Sequence, residues 1–149
     1  MNKVVFIFIA ISSGMFFTAC NSNNTVKSDV VKEVVNYYPN GTLQIERDFK
    51  IIDDKKITVY EREYYEDGKL LKEGPLNSDA KRNGNWKSYY RDGVLWSEGD
   101  FINDVRDGKT VTYFANGKKY YEGQYSKGKK SGIWKFYNEQ GEFLYDKSY

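Results

Sequence analysis

A five-fold phase runs through this chain. Gly41, Gly68, Gly93, Gly117 and Gly141 stand 27, 25, 24 and 24 residues apart. Four residues before each is a tyrosine (Tyr37, Tyr64, Tyr89, Tyr113, Tyr137), and five after each is a carboxylate (Glu46, Glu73, Glu98, Glu122, Asp146). Self-similarity at a fixed period of about 20 to 50 residues marks an array of stacked units, each burying its apolar face against its neighbours. The phase predicts a repeat fold and directs function toward binding or scaffolding.

The local chemistry names the repeated unit. Asn40-Gly41, Asp67-Gly68, Asp92-Gly93 and Asn116-Gly117, with a weaker Gln140-Gly141, are hairpin-turn dipeptides, and a type I′ turn needs positive φ at both central residues. Their flanks are rich in Tyr, Trp, Phe, Val and Leu, as strands prefer. Counting outward from Asp92-Gly93 places Tyr90 opposite Leu95, Tyr89 opposite Trp96, Lys87 opposite Glu98 and Trp86 opposite Gly99, where the ring would cover the glycine. The same count opposes Arg62 to Glu73, Glu63 to Lys72 and Lys135 to Asp146, and cross-strand pairs of opposite charge contribute about 0.2–1 kcal/mol each.

Alternation then assigns faces. Trp86, Tyr90, Leu95 and Phe101 fall on one face, with Trp134 and Phe143 in the last unit; Tyr89 and Trp96 fall on the other, with Tyr137 and Leu144. Gly84, Gly108 and Gly132, again 24 apart, mark a second set of turns. Lys50 to Lys56 reads as a longer connection in an atypical first unit, as terminal units often are. The expected fold is all-β: an elongated, twisted antiparallel sheet of about five stacked hairpins. Ten strands at about 4.8 Å spacing would span about 48 Å.

The ends carry a different message. Met1-Asn2-Lys3 is a short basic start, Val4 to Ile11 an apolar run, and Phe16-Phe17-Thr18-Ala19-Cys20 follows. Residues 1–19 read as a secretory leader, shorter than the roughly 20 apolar residues of a membrane-spanning helix. Cys20, the only cysteine, sits where a bacterial lipobox places the thiol that is acylated and becomes the new N-terminus. Residues 20–33 read as the lipidated start and a flexible polar tether, and residues 34–149 as the repeat domain. The expected location is the bacterial envelope, on a periplasm-facing leaflet, with the membrane as one partner.

The unit Trp86-Lys87-Ser88-Tyr89-Tyr90-Arg91-Asp92-Gly93, with Glu98-Gly99-Asp100-Phe101 and its recurrence Glu122-Gly123-Gln124-Tyr125, resembles the MORN repeat (membrane occupation and recognition nexus) in its short bacterial variant. The resemblance covers residues 34 to 149. It implies a protein-interaction and assembly module, with direct lipid binding as a weaker implication. Many bacterial members are grouped as YwqK-like antitoxins of toxin–antitoxin systems.

Composition bounds the chemistry. Without Lys3 the chain carries 22 basic and 21 acidic residues, which lacks the basic footprint of a nucleic-acid binder. There is no histidine, so the commonest general base and metal ligand is missing. No catalytic residue, metal, cofactor or small-molecule substrate is expected. Equivalent carboxylates should lie two strands, or about 10 Å, apart, beyond the spans of about 5–5.5 or 6.5–9.5 Å that glycosidases use. The basic residues Lys81, Arg82, Arg106, Lys127, Lys129 and Lys130 share one edge, diluted by Asp79, Asp104 and Asp107, and read as solvated turns. The expected binding surface is aromatic: Tyr64, Tyr89, Trp96, Tyr113, Tyr120 and Tyr137. The leading expectation is a lipid-anchored, non-enzymatic module that binds another protein. The alternatives are an antitoxin or immunity protein and a cell-wall or carbohydrate binder.

Overall fold

The computed structural model describes residues 30–149. They form ten strands: β1 (Val30–Tyr37), β2 (Leu43–Ile52), β3 (Lys55–Tyr64), β4 (Leu70–Pro75), β5 (Gly84–Tyr89), β6 (Leu95–Ile102), β7 (Val105–Tyr113), β8 (Lys119–Ser126), β9 (Lys129–Tyr137) and β10 (Phe143–Ser148). All ten lie in one antiparallel sheet in chain order, so the all-β array of hairpins holds. The leader, Cys20 and the tether as far as residue 29 lie outside the described residues. The sheet starts at Val30, ahead of the expected domain start at 34.

The glycine-bearing tips are not type I′ turns. At the third, the Gly93 N–H donates to the Tyr90 carbonyl (2.9 Å), the Tyr90 N–H donates to the Val94 carbonyl (2.8 Å), and Gly93 alone is left-handed, at φ 91°. This is a type I turn closed by a left-handed glycine, with one residue more in the loop than a type I′ turn allows. The preceding Asn or Asp serves a different purpose. Its side chain accepts the N–H two residues on: Asn40 from Thr42 (2.9 Å), Asp67 from Lys69 (3.2 Å), Asp92 from Val94 (3.1 Å) and Asn116 from Lys118 (2.9 Å).

The extra loop residue shifts pairing near the tip. Lys87 faces Glu98 and Trp86 faces Gly99 as expected, but Tyr89 faces Leu95 rather than Trp96. The Trp96 ring lies 6.3 Å from Tyr90, so the expected grouping of Trp96 with Tyr89 and away from Tyr90 is corrected.

Left-handed pairs occur instead at the other connections: Asp53-Asp54 (φ 50° and 59°), Asn103-Asp104 (51° and 69°) and Lys127-Gly128 (48° and 81°). Lys50 to Lys56, expected as a long connection, is the tight end of a hairpin with Ile52 opposite Lys55. Gly84, Gly108 and Gly132 are not turn residues; they lie inside β5, β7 and β9. The β6–β7 and β8–β9 registers slip around Gly108 and Gly132, as bulges do.

The sheet is a single layer, and aromatics cover both of its faces. Among the described residues Leu76, Trp86, Phe101 and Trp134 are the buried apolar side chains, with the hydroxyl residues Thr110 and Thr112. Trp86 lies over Gly74, where an added Cβ would meet the ring at 2.4 Å, and Trp134 lies over Gly123 at the same distance. The expectation that Trp86 covers Gly99 is therefore corrected. The indole N–H of Trp86 donates to the Pro75 carbonyl (2.8 Å) and that of Trp134 to the Gln124 carbonyl (3.2 Å), which tips each ring toward the preceding strand. The opposed charges stand as expected: Arg62 reaches Glu73 at 3.8 Å, Lys72 reaches Glu63 at 2.7 Å, and Lys135 faces Asp146.

Candidate functional site

On one face the tyrosine and carboxylate rows form a single ladder. Each tyrosine hydroxyl donates to the carboxylate of the preceding unit: Tyr64 to Glu46 (3.1 Å), Tyr89 to Glu73 (2.8 Å), Tyr113 to Glu98 (2.8 Å) and Tyr137 to Glu122 (2.6 Å). A second set of hydroxyls reaches forward to the next unit's backbone, from Tyr38 to the Tyr64 carbonyl (2.8 Å), Tyr65 to Tyr89 (2.9 Å) and Tyr90 to Tyr113 (2.8 Å). Phe114 stands where the next of these hydroxyls would be. Hydrogen bonds to charged groups contribute about 1.5–3 kcal/mol each and those to neutral carbonyls about 0.5–1.5 kcal/mol, so the two ladders join units that have no thick core between them.

The ladder leaves a titration signature. Burial and the bond to Glu98 push the Tyr113 hydroxyl up to about 12. Tyr64 and Tyr89 are raised by burial and by their carboxylate partners, and Tyr137 chiefly by its bond to Glu122. Lys119 first, and Tyr137 second, hold Glu122 below its ordinary value. A tyrosine whose folded value is raised contributes stability that is fully present below its ordinary value of 10 and is lost as pH rises through the folded value. The melting temperature is therefore expected to fall steeply between pH 10 and about 12. Tyr113→Phe should melt lower at neutral pH but lose less over that interval. Thermal unfolding against pH, read together with tyrosinate absorbance, checks this; equal slopes in the two proteins would count against the ladder.

The opposite face carries a ladder of cations between rings. Arg82 lies 5.9 Å from Trp86 and 4.3 Å from Phe101. Arg106 lies 5.1 Å from Phe101 and 5.5 Å from Tyr125, and Lys130 lies 4.3 Å from Trp134 and 4.7 Å from Tyr149. Arg82 also pairs with Asp104 at 3.0 Å. The basic residues of that edge are thus partly built into the sheet, since a cation over a ring gains about 0.5–1 kcal/mol at exposed sites.

The concavities are shallow. An open groove of about 290 Å³ is lined by Asn85, Glu98, Asp100, Lys109, Thr110 and Val111. Its Asp100 carboxylate already accepts from the Asn85 amide (3.0 Å) and the Lys109 N–H (3.1 Å). Among the described residues no group of three Asp, Glu, His or Cys side chains is placed to hold a metal ion.

The structure splits the aromatic residues expected to bind a partner. Tyr64, Tyr89, Tyr113 and Tyr137 come together in the ladder, half-buried, with their hydroxyls committed. Trp96 and Tyr120 occupy one repeat position, 24 residues apart, and are 47% and 44% exposed; Leu144, the next in phase, is 54% exposed. Trp96 rests near Tyr90, and Tyr120 packs at 4.7 Å on Phe114. The pairing of the tyrosine row with the carboxylate row is not evident from either row alone. Its signal in the sequence is the near-constant offset of 15 to 18 residues from each carboxylate to the tyrosine it meets.

A single open sheet of stacked hairpins, stitched by side-chain ladders and presenting an exposed apolar stripe, is a repeat protein of the interaction-module class. The chain belongs to the MORN repeat variant family, whose model matches residues 31–50, 58–77, 82–103 and 106–127, more than half of its length. MORN repeats are generally protein- and membrane-interaction modules and are non-catalytic. No curated protein and no solved structure matches the chain significantly.

Proposed function

We propose that this chain is a non-enzymatic protein-interaction module of the bacterial envelope, held at the membrane by acylation of Cys20. The observation that supports the interaction reading is the stripe Trp96–Tyr120–Leu144, which repeats on β6, β8 and β10 with every member about half exposed. Strands two apart put successive members about 10 Å from one another. The rings are backed by Tyr90 and Phe114, so little side-chain freedom is lost on contact. Large aromatics held in this way are enriched at protein interfaces and among their dominant contributors. The anchor is supported by the residues before Cys20, an apolar run followed by Phe16-Phe17-Thr18-Ala19.

The test captures partners from membranes with the full chain and with Trp96→Ala/Tyr120→Ala, alongside the mass and membrane partition of wild type and Cys20→Ser. The reading expects a protein enriched by wild type and lost in the double variant. It also expects an acylated mass that disappears, together with membrane partition, in Cys20→Ser. Equal capture by both chains would remove the stripe as the binding surface. An unacylated, cytoplasmic wild type would remove the anchor and favour an intracellular antitoxin.

A further inference from the structure

Among the described residues the ladder that joins the units lacks a partner at each end. Its last acceptor is Asp146 on β10, and its first donor is Tyr37 on β1. Both keep the phase of the repeat, yet neither side chain has a hydrogen-bond partner among the described residues. The four interior tyrosines of the row are half-buried, whereas Tyr37 is 58% exposed. Every residue of β1 and of β10 is exposed, in contrast to the part-buried strands between them.

Among the described residues no strand pairs with the outer edge of β1 or of β10, and both strands are apolar. Val30, Val31, Val34 and Val35 on β1 are 43–53% exposed, and Phe143, Leu144 and Tyr145 on β10 are 52–56% exposed. Natural edge strands usually carry charge or proline that discourages pairing. Here β1 holds one adjacent pair, Lys32-Glu33, and β10 another, Asp146-Lys147, so neither strand has a net charge that would repel a second copy.

We infer that copies of this chain associate head to tail, β10 of one molecule pairing with β1 of the next, so that the hydroxyl of Tyr37 completes the ladder on Asp146. The register follows from the repeat. Each even strand meets the next odd strand with the residue before its carboxylate facing the residue before the tyrosine: Lys72 faces Ser88, Ser97 faces Thr112, and Tyr121 faces Phe136. Carried across the junction, Tyr145 faces Asn36 of the neighbouring copy. The contact is heterologous and does not close on itself, so it builds chains of molecules rather than a symmetric dimer. It engages β10, and with it the Leu144 end of the stripe, but leaves Trp96 and Tyr120 free.

The test uses the full chain in a Cys20→Ser background, which removes its only native thiol and any acyl group carried there. Asn36→Cys and Tyr145→Cys are prepared separately, mixed under mild oxidation, and the disulfides mapped by mass spectrometry. The expected result is a 36–145 bond well in excess of 36–36 and 145–145 bonds, and a ladder of higher oligomers from a chain carrying both substitutions. Independently, light scattering of the Cys20→Ser chain should show mass rising with concentration. Tyr37→Phe should weaken that association about tenfold, the size of one charge-assisted hydrogen bond. A Cys20→Ser chain that stays monomeric throughout, or like-with-like bonds predominating in the mixture, would overturn the inference. Neither readout depends on the fate of Cys20 or on capture of another protein.

Discussion

Trp134→Ala is expected to destabilise the protein by about 3–5 kcal/mol, the range for removing a buried tryptophan. Trp134 is 1% exposed, the most buried large side chain described. Its ring lies 5.5 Å from Tyr121, 5.2 Å from Tyr125 and 5.8 Å from Tyr149, and its N–H holds the Gln124 carbonyl. No second layer can collapse into the space it leaves. The loss should also be local, because in a stacked array each unit contacts only its neighbours. Hydrogen exchange should rise in β9 and β10 while β3 to β6 keep their protection. Trp86→Ala, at the centre of the array, should instead uncouple the two halves and turn one cooperative transition into two. Denaturant unfolding followed by exchange checks both; a loss below about 1 kcal/mol for Trp134→Ala would show that the ring is not the anchor described.

Gly123→Ala should cost about 1–3 kcal/mol through overpacking, and Gly74→Ala a similar amount. In each case the added methyl would stand 2.4 Å from a tryptophan ring pinned by its own hydrogen bond. The diagnostic is coupling. In Gly123→Ala/Trp134→Ala the methyl has no ring to meet, so the two losses should fall short of additive, as expected for residues in contact. Gly99→Ala is the contrasting case. Its new Cβ would lie 3.1 Å from the Thr110 hydroxyl and 3.2 Å from an Arg106 nitrogen, and the arginine can move. Urea unfolding of the set decides it: additive losses at residues 123 and 134 would break the argument.

These effects also show where the sequence was legible. The Gly–Tyr–carboxylate phase identified the number of units, the all-antiparallel class and most of the register, including Lys87 opposite Glu98 and Arg62 opposite Glu73. It did so because side-chain alternation and charge pairing are local properties of a hairpin. The turn assignment failed for a local reason too. Asn or Asp before Gly suits both a type I′ turn and a loop in which the side chain accepts the N–H two residues on, and the dipeptide alone does not separate them. Asp53-Asp54 and Asn103-Asp104 adopt the left-handed pair without any glycine, so turn residues were not recognised there.

The site was less legible than the fold. Cys20 lies outside the described residues, and the aromatic residues are nameable from their phase. Phase alone does not say which aromatics are spent inside the sheet. Tyr89 and Trp96 look equivalent in sequence, yet one has its hydroxyl committed to Glu73 and the other is half exposed.

The sequence by itself determined the repeat, its hairpin unit and the lack of histidine chemistry, because these follow from periodicity and composition. Only the tertiary structure decided that the carboxylates accept from tyrosines of the next unit, that Trp86 covers Gly74 rather than Gly99, and that Trp96 and Tyr120 remain available. Those outcomes depend on how far each unit turns against the next. One extra loop residue or one bulge redirects a side chain from its own hairpin to a neighbouring strand, and no count along a single hairpin contains that rotation.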